Sequence, residues 1–172
     1  MRKINFKILS LLFIVAISGN SSCLAEKVKN VDPRTALLVA DLEEAKTLWN
    51  RRKSGLVGYD LWLRVRSYDS TAGHYVIKVR KGKENQIIRK ETGKPPESKI
   101  LKKVVKLDVD YLFEKIERAI QNNYEGISVV YDLTYGFPSA IQFNPKKEII
   151  EDDWEFITEL TPYPEGFNLL ED

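Results

Sequence analysis

The sequence predicts a two-layer α+β domain: an antiparallel β-sheet of about six strands with two helices packed on one face, in the order α-β-β-β-α-β-β-β. Three observations point to it. Short segments such as "VGYDLWLRVRS" and "HYVIKVR" alternate apolar and polar residues, the period of a half-buried strand. Two longer segments place apolar residues three and four apart, the period of a helix face. The connections between strands are short and rich in turn residues, as antiparallel neighbours require.

The first helix falls in "NVDPRTALLVADLEEAKTLWNRRK". Asp32 suits its cap and Pro33 its first turn, and basic residues close its last turn, where the helix dipole favours cations. Leu38, Leu42, Ala45 and Trp49 form one stripe, and "SGLVG" breaks the pattern. In the first strand Val57, Tyr59, Leu61, Leu63 and Val65 point one way, and Asp60, Trp62, Arg64 and Arg66 the other. The second strand turns Tyr75, Ile77 and Val79 inward, and "KGKEN" bends the chain into a weaker strand at "QIIRKE". The Lys- and Pro-rich "TGKPPESKILKKVVK" reads as a solvated connection across the sheet. A second helix follows, capped by Asp108, with Val109, Leu112, Phe113, Ile116, Ala119 and Ile120 on its buried face and Asn122 and Asn123 at its end. Strands at "GISVVYD", "PSAIQFN" and "DDWEFITEL" complete the order, and 161–172 is left as a carboxyl-terminal tail.

The amino terminus has a different character. "MRKINFK" is basic, residues 8–17 are apolar but for one Ser, and "SGNSSCLA" is small and polar. That is the layout of a secretory signal peptide spanning 1–25, and its apolar run falls short of the roughly 20 residues of a membrane span. Two cuts fit: after Ala25, or before Cys23 if that cysteine is acylated and anchors the chain to a membrane. Asn20, three places before Cys23, departs from the apolar residue usual in lipoprotein signals. The mature part, 26–172, then forms a single domain. With one cysteine, Cys23, no disulfide forms within the chain, even in an oxidising compartment.

Loss of Arg2, Lys3 and Lys7 with the signal takes the formal charge from +2 to −1. That sum conceals a division. Residues 51–108 hold sixteen Lys/Arg against six Asp/Glu, and residues 109–172 hold four against fourteen. Mutual attraction between the two halves, or plain solvation of each, is the simpler account, and a basic face for an acidic partner the sharper one.

The most distinctive stretch is "YDLTYGFPSAIQFN", in which Tyr131, Asp132, Tyr135, Gly136, Phe137 and Pro138 crowd around one corner. Gly136 suits a positive φ, and Pro138, lacking an N–H, suits a strand's first residue. The corner therefore reads as a hairpin bend with a structural role. It also resembles the "YDPxYGYPxxI" signature of a bacterial domain-of-unknown-function family, number 6174. The resemblance extends to "LWNRRKSGLVGYDLWLRV" through Trp49, Tyr59, Leu61 and Leu63, and to "GKPP", "DVDYLFEKIERAI" and "EDDWEFITEL", covering roughly residues 40–163. It implies the same fold in a small exported protein or lipoprotein, and no reaction. Two positions depart from the family pattern. Leu133 stands where Pro is common, and "SYDSTAGH" has none of the cysteines that many members carry there.

Chemistry is sparse. His74 is the only histidine, so neither a His-based triad nor a usual zinc site is readily built. "EDD" at 151–153 lacks the spaced oxygen ligands of a calcium loop. There is no phosphate-binding Gly-rich loop and no G-x-S-x-G elbow. No catalytic residue, metal or cofactor is assigned. The best binding candidate is the outward face of the first two strands: Trp62, Arg64, Arg66, His74, Lys78 and Arg80, and the simpler alternative is that the carboxyl-terminal "TPYPEGFNLLED" or the Lys-rich loop covers Trp62. A ring among guanidinium groups suits a protein or an anionic, glycan-like envelope component. Nucleic acid is a poor match for an exported chain. The expected function is a non-catalytic envelope or secreted binding module, the alternative a hydrolase using surface carboxylates. Oligomeric state is left open.

The export reading is checked by the intact mass of protein from the producing cell. The mature chain is expected to start at Glu26, or at Cys23 carrying acyl chains, and a chain that keeps Met1 would defeat it.

Overall fold

The computed structural model describes residues 32–67, 70–104, 106–144 and 154–166. The predicted export segment with Cys23, the turn at 151–153 and the tail beyond Gly166 lie outside the described residues. In chain order the elements are α1 (Pro33–Lys53), β1 (Leu56–Arg66), β2 (Gly73–Arg80), β3 (Gln86–Arg89), α2 (Ser98–Val104), α3 (Val109–Gln121), β4 (Gly126–Tyr131), β5 (Pro138–Asn144) and β6 (Trp154–Pro164). The strands form one six-stranded sheet in the order β3-β2-β1-β6-β5-β4. Every neighbouring pair is antiparallel.

Strand alternation becomes the two faces of this sheet. Tyr59, Leu61, Leu63 and Val65 of β1 are buried while Trp62, Arg64 and Arg66 are exposed. Tyr75 and Ile77 of β2 join the same core, as do Ile141, Phe143 and Phe156 from β5 and β6, and Val129 packs against it. The helices close that face. Leu42, Ala45 and Trp49 of α1 belong to the cluster, together with Val109, Leu112, Phe113, Ile116 and Ala119 of α3. A 13-residue helix such as α3 is marginal by itself, so burial of its apolar stripe holds it. Its ends follow the expected chemistry. The Asp108 carboxylate accepts from the Tyr111 N–H at 2.9 Å. Asn123 at φ 53° turns the chain out, with Tyr124 N–H donating to Ala119 O and Asn123 N–H to Ile120 O.

Two expectations need correction. The Lys- and Pro-rich connection contains a short helix, α2, in which Ile100 and Val104 face the core four residues apart. The surrounding lysines masked that pair. The supposed tail also begins too early, because Thr161–Pro164 continue β6 beside β1, with Thr161 opposite Asp60 and Pro162 opposite Tyr59. Prolines are tolerated there because β5 accompanies β6 only as far as Ile157, which leaves the other side of the strand without a ladder among the described residues.

The two three-stranded halves are not related by a two-fold axis normal to the sheet. Repeated three-stranded units related by a two-fold axis would set β1 beside β4 or β3 beside β6. Here β1 and β6 meet at the centre, and the chain crosses between the sheet's outer strands through α2 and α3.

The hairpin between β4 and β5 docks on α1. Asp132 Oδ1 accepts from the N–H groups of Thr134 at 2.9 Å and Tyr135 at 2.7 Å. The Asp132 N–H donates to Phe137 O, and the Gly136 N–H to Asp132 O. Phe137 and Pro138 are buried, Tyr135 packs against the core, and Tyr131 stacks on Phe113 with centroids 6.3 Å apart. Burial, with the Asp41 carboxylate nearby, pushes the Tyr131 hydroxyl well above its usual pKa. Gly136 has φ 81°, and a Cβ there would lie 2.5 Å from Ala45 O and 3.0 Å from Trp49 N. Gly136→Ala is therefore expected to cost about 2–4 kcal/mol in chemical denaturation, summing backbone strain and overpacking. Gly82→Ala, at φ 75° with nothing nearby, is expected to cost only about 1–2 kcal/mol.

Candidate functional site

The outer face of the sheet is assembled from every second residue of its strands. Register places Val76, Trp62 and Glu159 in one cross-strand row, extended by Ile88 of β3. The next row runs His74, Arg64, Ile157, Ala140 and Val130. Trp62, at 38% exposure, lies beside Ile157 at 37%, on the strands at the centre of the sheet. The Lys90 ammonium sits 5.0 Å from the centroid of the Trp62 ring, a cation–π distance. The Lys90 N–H donates to His74 O, prolonging the β2–β3 ladder just far enough to bring the ammonium there.

The six predicted face residues do not share one fate. Arg64 is exposed and makes no ion pair with another described residue. Lys78 is half-buried between Asp60 and Gln86 on the neighbouring strands. Arg66 reaches across the central seam, its Nη1 donating to Glu155 Oε2 at 2.9 Å. His74 faces Glu91, with Nδ1 3.0 Å from Oε1 and its backbone N–H donating to the same oxygen at 3.1 Å. Burial works to raise the Glu91 pKa, but hydrogen bonds from its own and His74's backbone, and from the imidazole, outweigh it and hold the carboxyl below the usual range.

Arg80 belongs to the fold rather than to an open binding surface. Its Nη1 donates to Asp60 Oδ1 at 2.8 Å and to Tyr59 O at 3.1 Å. Its guanidinium lies 4.6 Å from the centroid of the Tyr163 ring, and the Tyr163 hydroxyl donates to Asp60 Oδ2 at 3.1 Å. Gly58, opposite Arg80, makes room for this arrangement, because a Cβ there would sit 2.9 Å from Arg80 Cδ and 2.5 Å from Val79 O. Alternation shows which way Arg80 points, but the partners that occupy it come from two other strands, Asp60 from β1 and Tyr163 from β6.

Sequence reasoning missed Lys90 and Ile157. Extending the β2–β3 pairing by one residue would have found Lys90, and the parity of Glu155 and Glu159 would have found Ile157. The hairpin signature residues Tyr131, Asp132, Tyr135, Gly136, Phe137 and Pro138 shape the β4–β5 bend, where Gly136 meets α1 and Tyr131 stacks on Phe113 of α3.

A separate open polar cleft of about 470 Å³ lies at the start of α3, lined by Asn85, Lys106, Asp108, Asp110, Tyr111, Glu114 and Arg118. Its charges are mostly engaged already. Asp110 accepts from Trp49 Nε1 at 2.9 Å and pairs with Lys53, and Arg118 pairs with Glu114 at 3.1 Å. Burial raises the Asp108 pKa against the opposing hydrogen bond from Tyr111. No group of three His, Cys, Asp or Glu side chains suited to a metal occurs among the described residues.

Residues 41–160 match the model of a family of unknown function, DUF6174, and the chain belongs to that family. No curated protein and no solved structure matches it.

The differing fates of the two arginines have a measurable consequence. Arg80→Ala is expected to destabilise the domain by about 2 kcal/mol, since it strands a largely buried Asp60 carboxylate. Arg64→Ala is expected to stay within about 0.5 kcal/mol of the parent in the same urea titration.

Proposed function

We propose that this domain is an exported, non-catalytic binding module of the cell envelope, and that it takes an anionic glycan on the outer face of its sheet. One observation carries this reading: an exposed Trp62 at the centre of that face, overlaid by Lys90 and next to the unengaged Arg64. An indole face stacks on the C–H side of a sugar ring, and a nearby ammonium and guanidinium take a carboxylate or phosphate. Lys90 is on a surface position and is free to swing from the ring to such a group. The export segment read from residues 1–25 supports an envelope partner over an intracellular one.

Binding of a soluble polyuronate such as alginate, followed by calorimetry, tests the reading. Trp62→Ala and Arg64→Ala are each expected to weaken it about 5- to 30-fold, the equivalent of roughly 1–2 kcal/mol, and rising salt is expected to weaken it further. Neutral dextran is expected not to bind. Equal affinity of the Trp62→Ala protein, or equal binding of dextran, would remove the basis of the proposal.

A further inference from the structure

The carboxylates around β1 on the outer face differ in one respect. Asp60 is taken by Arg80 at 2.8 Å and by the Tyr163 hydroxyl. Glu155 lies directly opposite Arg66 and pairs with it, and Glu91 is held by His74 and Arg89. Glu159 is exposed and makes no ion pair or hydrogen bond with another described residue. Register explains the difference. It sets a guanidinium across from Glu155 but the indole of Trp62 across from Glu159, and an indole carries no charge to set against a carboxylate.

Charge is therefore divided about the ring. On the β2–β3 side Val76 is the cross-strand neighbour of Trp62, and the Lys90 ammonium sits 5.0 Å from the ring centroid. Arg64, two residues along β1, is exposed and has no ion pair among the described residues. On the β6 side stands Glu159, at the spacing of directly opposed strand residues, about 5 Å between Cβ atoms. A carboxylate there repels a ligand that is anionic throughout. It favours a ligand whose ring bears a cation on that side.

We propose that the sugar stacked on Trp62 is zwitterionic: an amino sugar whose phosphate or carboxylate lies toward Arg64 and Lys90 and whose ammonium is taken by Glu159. This rests on the glycan reading above and narrows it, with Glu159 as the residue that sets specificity. Substituents at opposite ends of one pyranose ring reach both groups while its C–H side covers the indole. Lys90 leaves the ring for the anion as the sugar takes its place.

Glucosamine 6-phosphate, glucose 6-phosphate and N-acetylglucosamine 6-phosphate share a phosphate and differ at one ring position, in an ammonium, a hydroxyl or a neutral amide. Each is titrated into the isotope-labelled mature protein at about pH 6.5, where the sugar amine is protonated, and binding is read from amide chemical shifts. Glucosamine 6-phosphate is expected to bind about three- to fivefold more tightly than the other two, the size of one exposed ion pair. Glu159→Gln is expected to abolish that preference and to leave the melting temperature in place. The same change is expected to raise the affinity for alginate about twofold, because it removes a repelling charge. Trp62→Ala is expected to weaken all three sugar phosphates together. Equal binding of the three by the parent protein, or a preference that survives Glu159→Gln, overturns the proposal and leaves the glycan reading intact. So does a failure of glucosamine 6-phosphate to bind where alginate binds. If neither the sugar phosphates nor alginate binds, both fall.

Discussion

Trp49 is where three parts of the chain that are remote in sequence are made to agree. Its ring meets Tyr59 of β1 edge-on at 5.4 Å. Its Nε1 donates to Asp110 at the start of α3. Its backbone nitrogen lies 3.0 Å from where a Gly136 Cβ would be, so the β4–β5 hairpin approaches α1 as closely as a bare glycine allows. A side chain with 1% exposure and a satisfied N–H satisfies both demands of a buried tryptophan at once. Once α1, α3 and the hairpin are located by this residue, both helices lie on the same face of the sheet. On the other face Trp62, Arg64 and Arg66 are exposed, which an antiparallel sheet tolerates.

That asymmetry gives the charge division a spatial meaning. β1–β3 come from the basic part of the chain and β4–β6 from the acidic part, and they join along the β1–β6 seam. Arg66 and Glu155 pair across the seam on the open face, and Lys53 and Asp110 pair on the helix side. These contacts are exposed and each contributes little. They do not use up the join, since Arg64 of β1 and Glu159 of β6 make no ion pair with another described residue.

Alternation and helical spacing made most of the architecture legible from the residues alone. Leu61, Ile77 and Phe156 reached the core as their parity required, and Ile116 and Trp49 as their helical spacing required. Asp108, Asn123 and Gly136 took the conformations their chemistry suggests. The site was legible only in part. Trp62 and Arg64 are where alternation puts them, yet Arg80 shares their face and is taken up by Asp60 and Tyr163. Helix α2 escaped notice because two core residues in seven, set among lysines, produce no stripe that stands out.

The sequence by itself determined the elements, the side each strand residue faces and the chemistry of the helix ends, because these follow from interactions a few residues long. Only the tertiary structure decided the strand order, the central meeting of β1 and β6 and the identity of the two edges. Those depend on which distant segments close against one another, and a period of two or of 3.6 carries no information about that choice. The candidate surfaces inherit the same division. Their residue types were visible in the chain, but whether each side chain stayed available to a partner was settled by neighbours tens of residues away.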